Sequence, residues 1–284
     1  MTTTPVQSVD ALREEFAFLN YQSQLLNDQA GLTVTRDAYW SYCGPLLDPS
    51  SLPSNFSDFA ASTFTRSLDV RFLPFLEFIN AFIVSSGLSH YFLTIRATTP
   101  THEYDRPRWH TDELFFSQSN DGKLPGTGLG LKSQYERTKK PSVRGTDWKI
   151  CTSLLGPPTL FIPLEHQFSA RQKQTLARKA ASTEHDCLSI RCVGCASAAE
   201  RVREELSINL KQFGAKTATF GECALFKVGR DRGAMHSEPC MSEHQQGRVF
   251  VNVIPGTKEE LEVIMRRWGM EFPRQWWVAK PHVR

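Results

Sequence analysis

Five short runs rich in β-branched and aromatic residues, bounded by glycine, proline and aspartate, occur after position 90 of this chain. They span residues 91–98, 148–155, 159–163, 218–228 and 248–254. Segments of this length and composition are typical of β-strands. Short strands separated by turn residues favour an antiparallel sandwich or barrel over a parallel sheet. We therefore expect the chain to fold around an antiparallel β core.

Apolar residues at helical spacing dominate the chain before the first of these strands. Residues 9–27 carry this spacing after Ser8, a suitable N-cap, and residues 37–43 fit a short second helix. From 56 to 84 the amphipathic pattern recurs, with an interruption at Pro74. We predict that residues 1–90 form mainly helical support for the β core.

Further helical patterns lie inside the β core and after it. Residues 168–182 and 196–212 are rich in Ala, Arg, Glu and Leu, which predicts two helices in an inserted segment. A last helix is predicted at 258–265. The predicted organisation is one α+β domain over 1–284 with three parts. These are the helical support at 1–90, the β core at 91–256 with an insertion at about 165–212, and the C-terminal helix and tail at 257–284.

Charge and hydropathy argue against several classes of function. The net charge is only +3, and no basic stripe alternates with aromatic residues as nucleic-acid binding requires. No apolar run reaches the ~18 residues that span a bilayer, and the first residues lack the features of a secretory signal. The 7 cysteines are an odd number, which argues against a secreted disulfide framework. We expect a cytoplasmic protein with reduced thiols that binds neither nucleic acid nor membrane.

One group of residues suggests a metal site. Residues 110–112 read His-Thr-Asp, and a second isolated histidine, His236, lies far along the chain. On a strand, residues i and i+2 point the same way, so the side chains of His110 and Asp112 can reach one metal ion. Two imidazoles and one carboxylate form the facial triad that holds non-haem Fe(II) and leaves positions open for oxygen chemistry. We predict that these three side chains bind iron.

An arginine near the second histidine suggests a carboxylate-binding position. Arg248 follows His236 by 12 positions and opens a strand-like run. Its planar guanidinium can bind the far carboxylate of 2-oxoglutarate with two parallel hydrogen bonds. Lys149 and Thr152, on a predicted core strand, are further candidates to bind this co-substrate. For both, a strand side chain that faces solvent or a neighbour is the simpler explanation.

Three side chains close to the first ligands are candidates for the substrate pocket. Trp109 and Phe115 flank the His-Thr-Asp run, and Arg96 lies on the preceding predicted strand, where it could meet an anionic substrate. Packing in the core is the alternative for the two aromatic residues. Pairing on the surface is the alternative for Arg96.

The spacing of these residues resembles that of Fe(II)/2-oxoglutarate-dependent oxygenases, whose pattern is matched by His110, Asp112, His236 and Arg248. The wider sequence around residues 108–112, 154–161 and 236–239 is similar to a group of fungal oxygenases of specialised metabolism, one of which closes an aziridine ring on valine. The interval of 126 residues between the two histidines is long, and the predicted helical insertion accounts for it.

This resemblance implies a fold and a chemistry. The fold is a double-stranded β-helix (a jelly-roll or cupin-like core) with N-terminal helices and an inserted helical segment. The implied cofactors are Fe2+, 2-oxoglutarate and O2, and the reaction oxidises a C–H bond of a small molecule such as the amino acid valine. Hydroxylation, desaturation and ring closure all stay open as outcomes.

A cysteine-rich cluster supports a competing hypothesis. His185, Cys187, Cys192 and Cys195 offer four zinc ligands, but structural zinc sites usually have two separated ligand pairs. The last two cysteines also form a Cys-x-x-Cys, a spacing used by redox pairs, and unligated thiols are the simplest explanation. The alternatives are a non-catalytic binding protein on a β-barrel fold, a zinc- or thiol-based protein using this cluster, and an iron protein without a keto acid. The oligomeric state is open.

Overall fold

The computed structural model describes residues 14–22, 31–102, 105–116, 147–181, 193–242 and 244–280. These residues form the following strands: β1 (Phe16–Asn20), β2 (Ala38–Pro45), β3 (His90–Thr98), β4 (Trp148–Leu155), β5 (Leu160–Phe161), β6 (Lys216–Thr217), β7 (Glu222–Lys227), β8 (His236–Ser237), β9 (Arg248–Gly256) and β10 (Arg274–Ala279). The α-helices are α1 (Ser54–Thr63), α2 (Asp69–Ser85), α3 (Gln167–Ala181), α4 (Val193–Asn209) and α5 (Lys258–Arg267).

The strands form two sheets. The larger has 7 strands in the order β1-β7-β4-β9-β3-β2-β10, and the smaller has 3 strands in the order β6-β5-β8. All neighbouring strands in both sheets are antiparallel. The prediction of a mixed α+β protein with an antiparallel sheet is confirmed. None of the helices in the described ranges is long and apolar enough to cross a membrane.

One face of the large sheet carries the main apolar core. Successive side chains on a strand point to opposite faces, so Leu93 and Ile95 of β3 share a face with Val251 and Val253 of β9. Helices α1 and α2 cover this face with phenylalanines, and Phe72 of α2 is fully buried there. The predicted amphipathic segment 56–84 therefore forms two helices that pack on the sheet.

The opposite face of the large sheet meets the small sheet. Phe161 of β5 stacks on Phe16 of β1, with ring centroids 4.7 Å apart, and meets Phe226 of β7 edge-on at 5.2 Å. Beside this contact, α5 packs Leu261 and Ile264 into the same apolar cluster. Aromatic side chains are thus packed between the two sheets.

Helix α3 lies behind the small sheet and packs against α4. Its buried residues Ala170 and Ala177 share an apolar cluster with Leu206 of α4 and with Trp109 and Met235. The two helices predicted for the insertion are therefore confirmed, and they pack against the segments that carry the predicted metal ligands.

Two segments predicted to be helical are strands. The prediction of helix at 9–27 is wrong for Phe16–Asn20, which form β1 and pair with β7, and residues 9–13 and 23–27 lie outside the described residues. The prediction of a helix at 37–43 is also wrong, since β2 spans Ala38–Pro45. Tyr39, Trp40 and Tyr42 have high β-propensity, and pairing with β3 and β10 outweighs the weak helical spacing. Residues 1–90 thus supply strands as well as helices.

The end of the chain also differs from its prediction. Residues 274–279, predicted to belong to a tail, form the edge strand β10 beside β2. Helix α5 begins at Lys258 as predicted, because Thr257 accepts a hydrogen bond from Glu260 N and the Glu260 carboxylate accepts one from Thr257 N.

Candidate metal centre

The two segments that carry the predicted ligands lie side by side. His110 N donates to His236 O at 2.9 Å, and His236 N donates to His110 O at 3.0 Å, so the two residues form an antiparallel bridge. His236 also pairs with Phe161 of β5. The segment around His110 therefore continues the small sheet beyond β8, and this pairing brings together residues that are far apart in the sequence.

The three predicted ligand side chains converge. His110 Nε2 lies 3.8 Å from Asp112 Oδ1, and His236 Nε2 lies 3.6 Å from Asp112 Oδ2. The ligand atoms of all three lie within 4.8 Å of one another. His110 and Asp112 point the same way because they alternate with Thr111 on an extended segment.

Backbone carbonyls orient both imidazoles. His110 Nδ1 is 2.7 Å from Arg108 O, and His236 Nδ1 is 2.9 Å from Ala234 O. A carbonyl only accepts hydrogen bonds, so each Nδ1 carries a proton, and in the neutral form of each ring Nε2 keeps its lone pair. Both lone pairs therefore belong to the nitrogens nearest to Asp112, which is the tautomer that a metal ligand needs.

Charges around Asp112 keep its carboxyl group ionised. Burial alone would raise its pKa, but Lys149, together with His236 and His110 where these imidazoles are protonated, holds that pKa well below its usual range. Lys149 Nζ forms an ion pair with Asp112 Oδ2, and both side chains are nearly buried. Burial lowers the pKa of His236 to about 4, against the opposing attraction of Asp112. At neutral pH the site thus holds one carboxylate and a neutral His236, both suited to bind a cation.

Arg248 lies on the same face of the large sheet as Lys149. Its Nε donates to Pro157 O at 2.9 Å, its guanidinium donates to Thr159 Oγ1 at 3.2 Å, and it stacks 4.4 Å from the Phe250 ring centroid. These contacts hold a buried cation in one orientation. Burial raises the pKa of the Cys151 thiol to about 11, against the opposing effect of the nearby cations Lys149 and Arg248.

The structure brings only some of the predicted pocket residues to this centre. Phe115 is buried, and its ring centroid lies 6.0 Å from Lys149 Nζ. Arg96 lies on the site face of β3 but is exposed. Trp109 instead packs in the apolar cluster beside α3, because it alternates with His110. Thr152 is on the helix-covered face of β4, where it donates to Glu222 O at 2.9 Å, so it is not near Arg248 or the triad.

Several residues at the centre were not predicted. Glu238 follows His236 by two positions, and its pKa is lowered because His110, His236 and Arg248 outweigh the effect of burial. Phe226 lies below Lys149, with Nζ 4.9 Å from its ring centroid. Strand alternation would have placed Glu238 on the same side as His236, so the sequence contained that signal.

The cysteine-rich cluster is mostly outside the described residues. His185, Cys187 and Cys192 fall in the undescribed range, and Cys195 is exposed on α4. The zinc prediction therefore stays a prediction. The described cysteines Cys43, Cys151 and Cys223 are buried free thiols.

No family model matches the chain, and neither a curated protein nor a solved structure shows significant similarity to it. The interpretation of the centre consequently depends on its own geometry and charge.

Proposed function

We propose that this protein is an Fe(II)/2-oxoglutarate-dependent oxygenase that oxidises a C–H bond of a small molecule. The observation that carries the proposal is the convergence of His110 Nε2, His236 Nε2 and the Asp112 carboxylate within 4.8 Å of one another. Two imidazoles and one carboxylate are the donor set of non-haem iron oxygenases.

The proposed fold is a double-stranded β-helix, with the two antiparallel sheets as the walls of a jelly-roll core. Its support is that the sheets pack on each other through Phe16, Phe161 and Phe226. The ligand segments belong to the small sheet, and Arg248 and Lys149 come from the facing strands of the large sheet.

The residues present fit a divalent iron. Imidazole nitrogen and carboxylate oxygen suit Fe(II), and the absence of a thiolate among the three donors disfavours a structural zinc or iron–sulfur site. When bound, iron with 2-oxoglutarate and O2 supplies the oxidising power for C–H cleavage, and the keto acid is converted to succinate and carbon dioxide.

The protein's own contribution is to hold charges and orient groups. Lys149 keeps Asp112 ionised, and the carbonyls of Arg108 and Ala234 keep both Nε2 lone pairs toward the carboxylate. Arg248, oriented by Pro157 O and Thr159, is proposed to bind the far carboxylate of 2-oxoglutarate.

The proposed substrate is a small molecule, with an amino acid such as valine as the candidate given by the sequence resemblance. Phe115 would supply an apolar wall, and Arg96 on the same sheet face would meet an anionic group. The proposed setting is cytoplasmic, and the free thiols of the buried Cys43, Cys151 and Cys223 are compatible with it.

The test is anaerobic Fe(II) titration followed by measurement of succinate after O2 is admitted. We expect one Fe(II) per chain and slow succinate formation from 2-oxoglutarate without any further substrate. His110→Ala should abolish both, whereas His102→Ala, whose side chain is 82% exposed, should change neither. Iron binding that survives His110→Ala, or a wild-type protein that forms no succinate, would overturn the proposal.

A second candidate is a metal-free binding protein on the same fold. It is favoured by the ion pair between Lys149 and Asp112, because an ammonium group beside the carboxylate competes with a metal cation. Under this alternative, the titration would detect no bound Fe(II), and metal analysis of the purified protein would give no stoichiometric zinc.

A further inference from the structure

Helix α3 holds the first ligand segment from behind. Thr111 lies between His110 and Asp112, and it points the opposite way because side chains on an extended segment alternate. Its hydroxyl donates to Gln174 Oε1 at 3.1 Å. Thr111 and Gln174 are each only 3% exposed, so this hydrogen bond forms away from water.

The same helix holds the second ligand segment. Met235 directly precedes His236, and its N donates to Gln167 Oε1 at 2.7 Å. Gln167 Nε2 in turn donates to Ile162 O at 2.7 Å and to Met235 O at 3.3 Å. Gln167 is fully buried, so its amide links the ends of β5 and β8 inside the protein.

The spacing of the two glutamines places both amides on one face of α3. Gln167 and Gln174 are seven residues apart, which is about two turns of an α-helix. Ala170 and Ala177, both fully buried, lie on the same face. Because alanine is small, the helix can approach the ligand segments closely enough for both amides to reach them. Arg171 adds a third contact, since its guanidinium donates to Gly233 O at 3.2 Å.

Packing alone does not explain two glutamines at these positions. They border an apolar cluster that contains Trp109, Ile162 and Met235, where leucine would fill a similar volume. A buried amide group destabilises the folded protein unless its hydrogen bonds are made. Here the bonds go to the residues next to the ligands, which ties the positions of both segments to one rigid helix.

We propose that Gln167 and Gln174 are positioning residues that fix His236 and the His110–Asp112 pair relative to each other for metal binding. This inference rests on the proposed metal site. It gives a structural role to the inserted helix α3, which lies between the two ligand segments in the sequence. The helix holds both segments in fixed positions. The two amides act through Thr111 and Met235 and do not bind the metal themselves.

The test uses Co2+ as a spectroscopic probe, with affinity from chelator competition and geometry from the visible d–d absorption. Gln174→Leu should weaken Co2+ binding by about tenfold and should alter the absorption spectrum. Tenfold is about the smallest loss of metal affinity seen when residues that orient metal ligands are removed. Gln174→Glu keeps an acceptor for the Thr111 hydroxyl and should restore part of the spectrum. Gln172→Leu is the matched control, because the same substitution falls on an exposed position of α3.

A second set of variants tests the same contact from the other side. Thr111→Val should reproduce Gln174→Leu, Thr111→Ser should resemble the wild type, and the double variant should be no worse than either single one. If Gln174→Leu does not fold, Thr111→Val carries the test. If Gln167→Leu, Gln174→Leu and Thr111→Val fold and keep the Co2+ affinity and absorption spectrum of the wild type, the positioning role is wrong. The proposed metal site would not be affected by that result. A wild-type protein that binds no Co2+ would instead overturn the proposed metal site, and the inference with it.

Discussion

The two faces of the seven-stranded sheet are built from the same strands but differ in the charged side chains that they carry. Ile150 and Val251 point to the helix-covered face and are fully buried among apolar side chains. Their immediate neighbours Lys149 and Phe250 point to the other face, as does Arg248, close to the candidate metal centre. Strand alternation alone separates a mainly apolar face from a face that combines apolar packing with charged side chains.

This comparison shows why the register of these strands matters. A shift of one residue in β4 would place Lys149 in the apolar core and Ile150 beside Asp112. Burial of the apolar face therefore fixes the register of these strands, and the register determines which residues point toward Asp112. Substitutions at adjacent positions should consequently affect different properties.

The largest effect is expected on the apolar face. Ile150→Ala removes a fully buried side chain and should lower the free energy of unfolding by about 3 kcal/mol. Urea denaturation measures this loss, and the folded variant should bind Co2+ with wild-type affinity. A large loss of metal affinity without a loss of stability would contradict the separation of the two faces.

The neighbouring residue on the site face should respond differently. Lys149→Met leaves the buried Asp112 carboxylate without its ion partner, so the metal-free protein should lose up to about 3 kcal/mol. A bound divalent cation would supply the missing positive charge. We therefore expect Co2+ to raise the Tm of this variant more than that of the wild type. An equal rise in both proteins would show that Lys149 and the cation do not act on the same carboxylate.

A smaller effect is expected at Arg248. Arg248→Lys keeps a positive charge but loses the planar pair of donors, so the apparent affinity for 2-oxoglutarate should fall about tenfold. Metal affinity should not change, since Arg248 is not one of the three converging ligands. Arg274→Lys, at an exposed position of β10, is the control. Unchanged 2-oxoglutarate affinity in Arg248→Lys would remove this residue from co-substrate binding.

The smallest effect is expected at an exposed ion pair on the sheet edge. Burial would raise the pKa of Asp37, but hydrogen bonds from Lys280 and Thr99 lower it. Because the folded-state pKa lies below the unfolded one, the stabilisation is present above about pH 4. It is lost as the pH falls through the lowered value.

The same edge pair gives a contrast with the buried pair of Lys149 and Asp112. Lys280 is 73% exposed, so solvent screening should keep its contribution below about 1 kcal/mol. The Tm difference between wild type and Lys280→Ala should be small at pH 7 and should shrink further as the pH falls below about 4. A Tm difference that grows as the pH falls would contradict the lowered pKa of Asp37.

Much of the secondary structure could be predicted because it depends on local patterns. The long strands β3, β4 and β9 and the helices α1 to α5 follow from composition and apolar spacing within single segments. The predictions at β1 and β2 were wrong because the helical spacing of Phe16–Asn20 and Ala38–Pro45 is weak and their aromatic residues favour strands. Pairing with distant strands decides such segments, and no local window contains that information.

In the candidate site, only the relative directions of side chains on one extended segment could be predicted from the sequence. The i, i+2 spacing indicated that His110 and Asp112 share a side, and the same alternation should have excluded Trp109 from it. It also allowed at most one of Lys149 and Thr152 to face the site, since they are three residues apart on β4. The glutamines of α3 carry no signal of this kind, because their partners are distant in the sequence.

The sequence by itself determined which residues alternate on each strand, because side-chain direction follows from backbone geometry within one segment. Only the tertiary structure decided that His236 would lie against His110, that Lys149 would meet Asp112, and that α3 would brace both segments. These contacts depend on strand pairing and helix packing between residues that are 37 to 126 positions apart in the sequence. Such long-range contacts are selected by burial and hydrogen bonding of the whole fold, which no local pattern encodes.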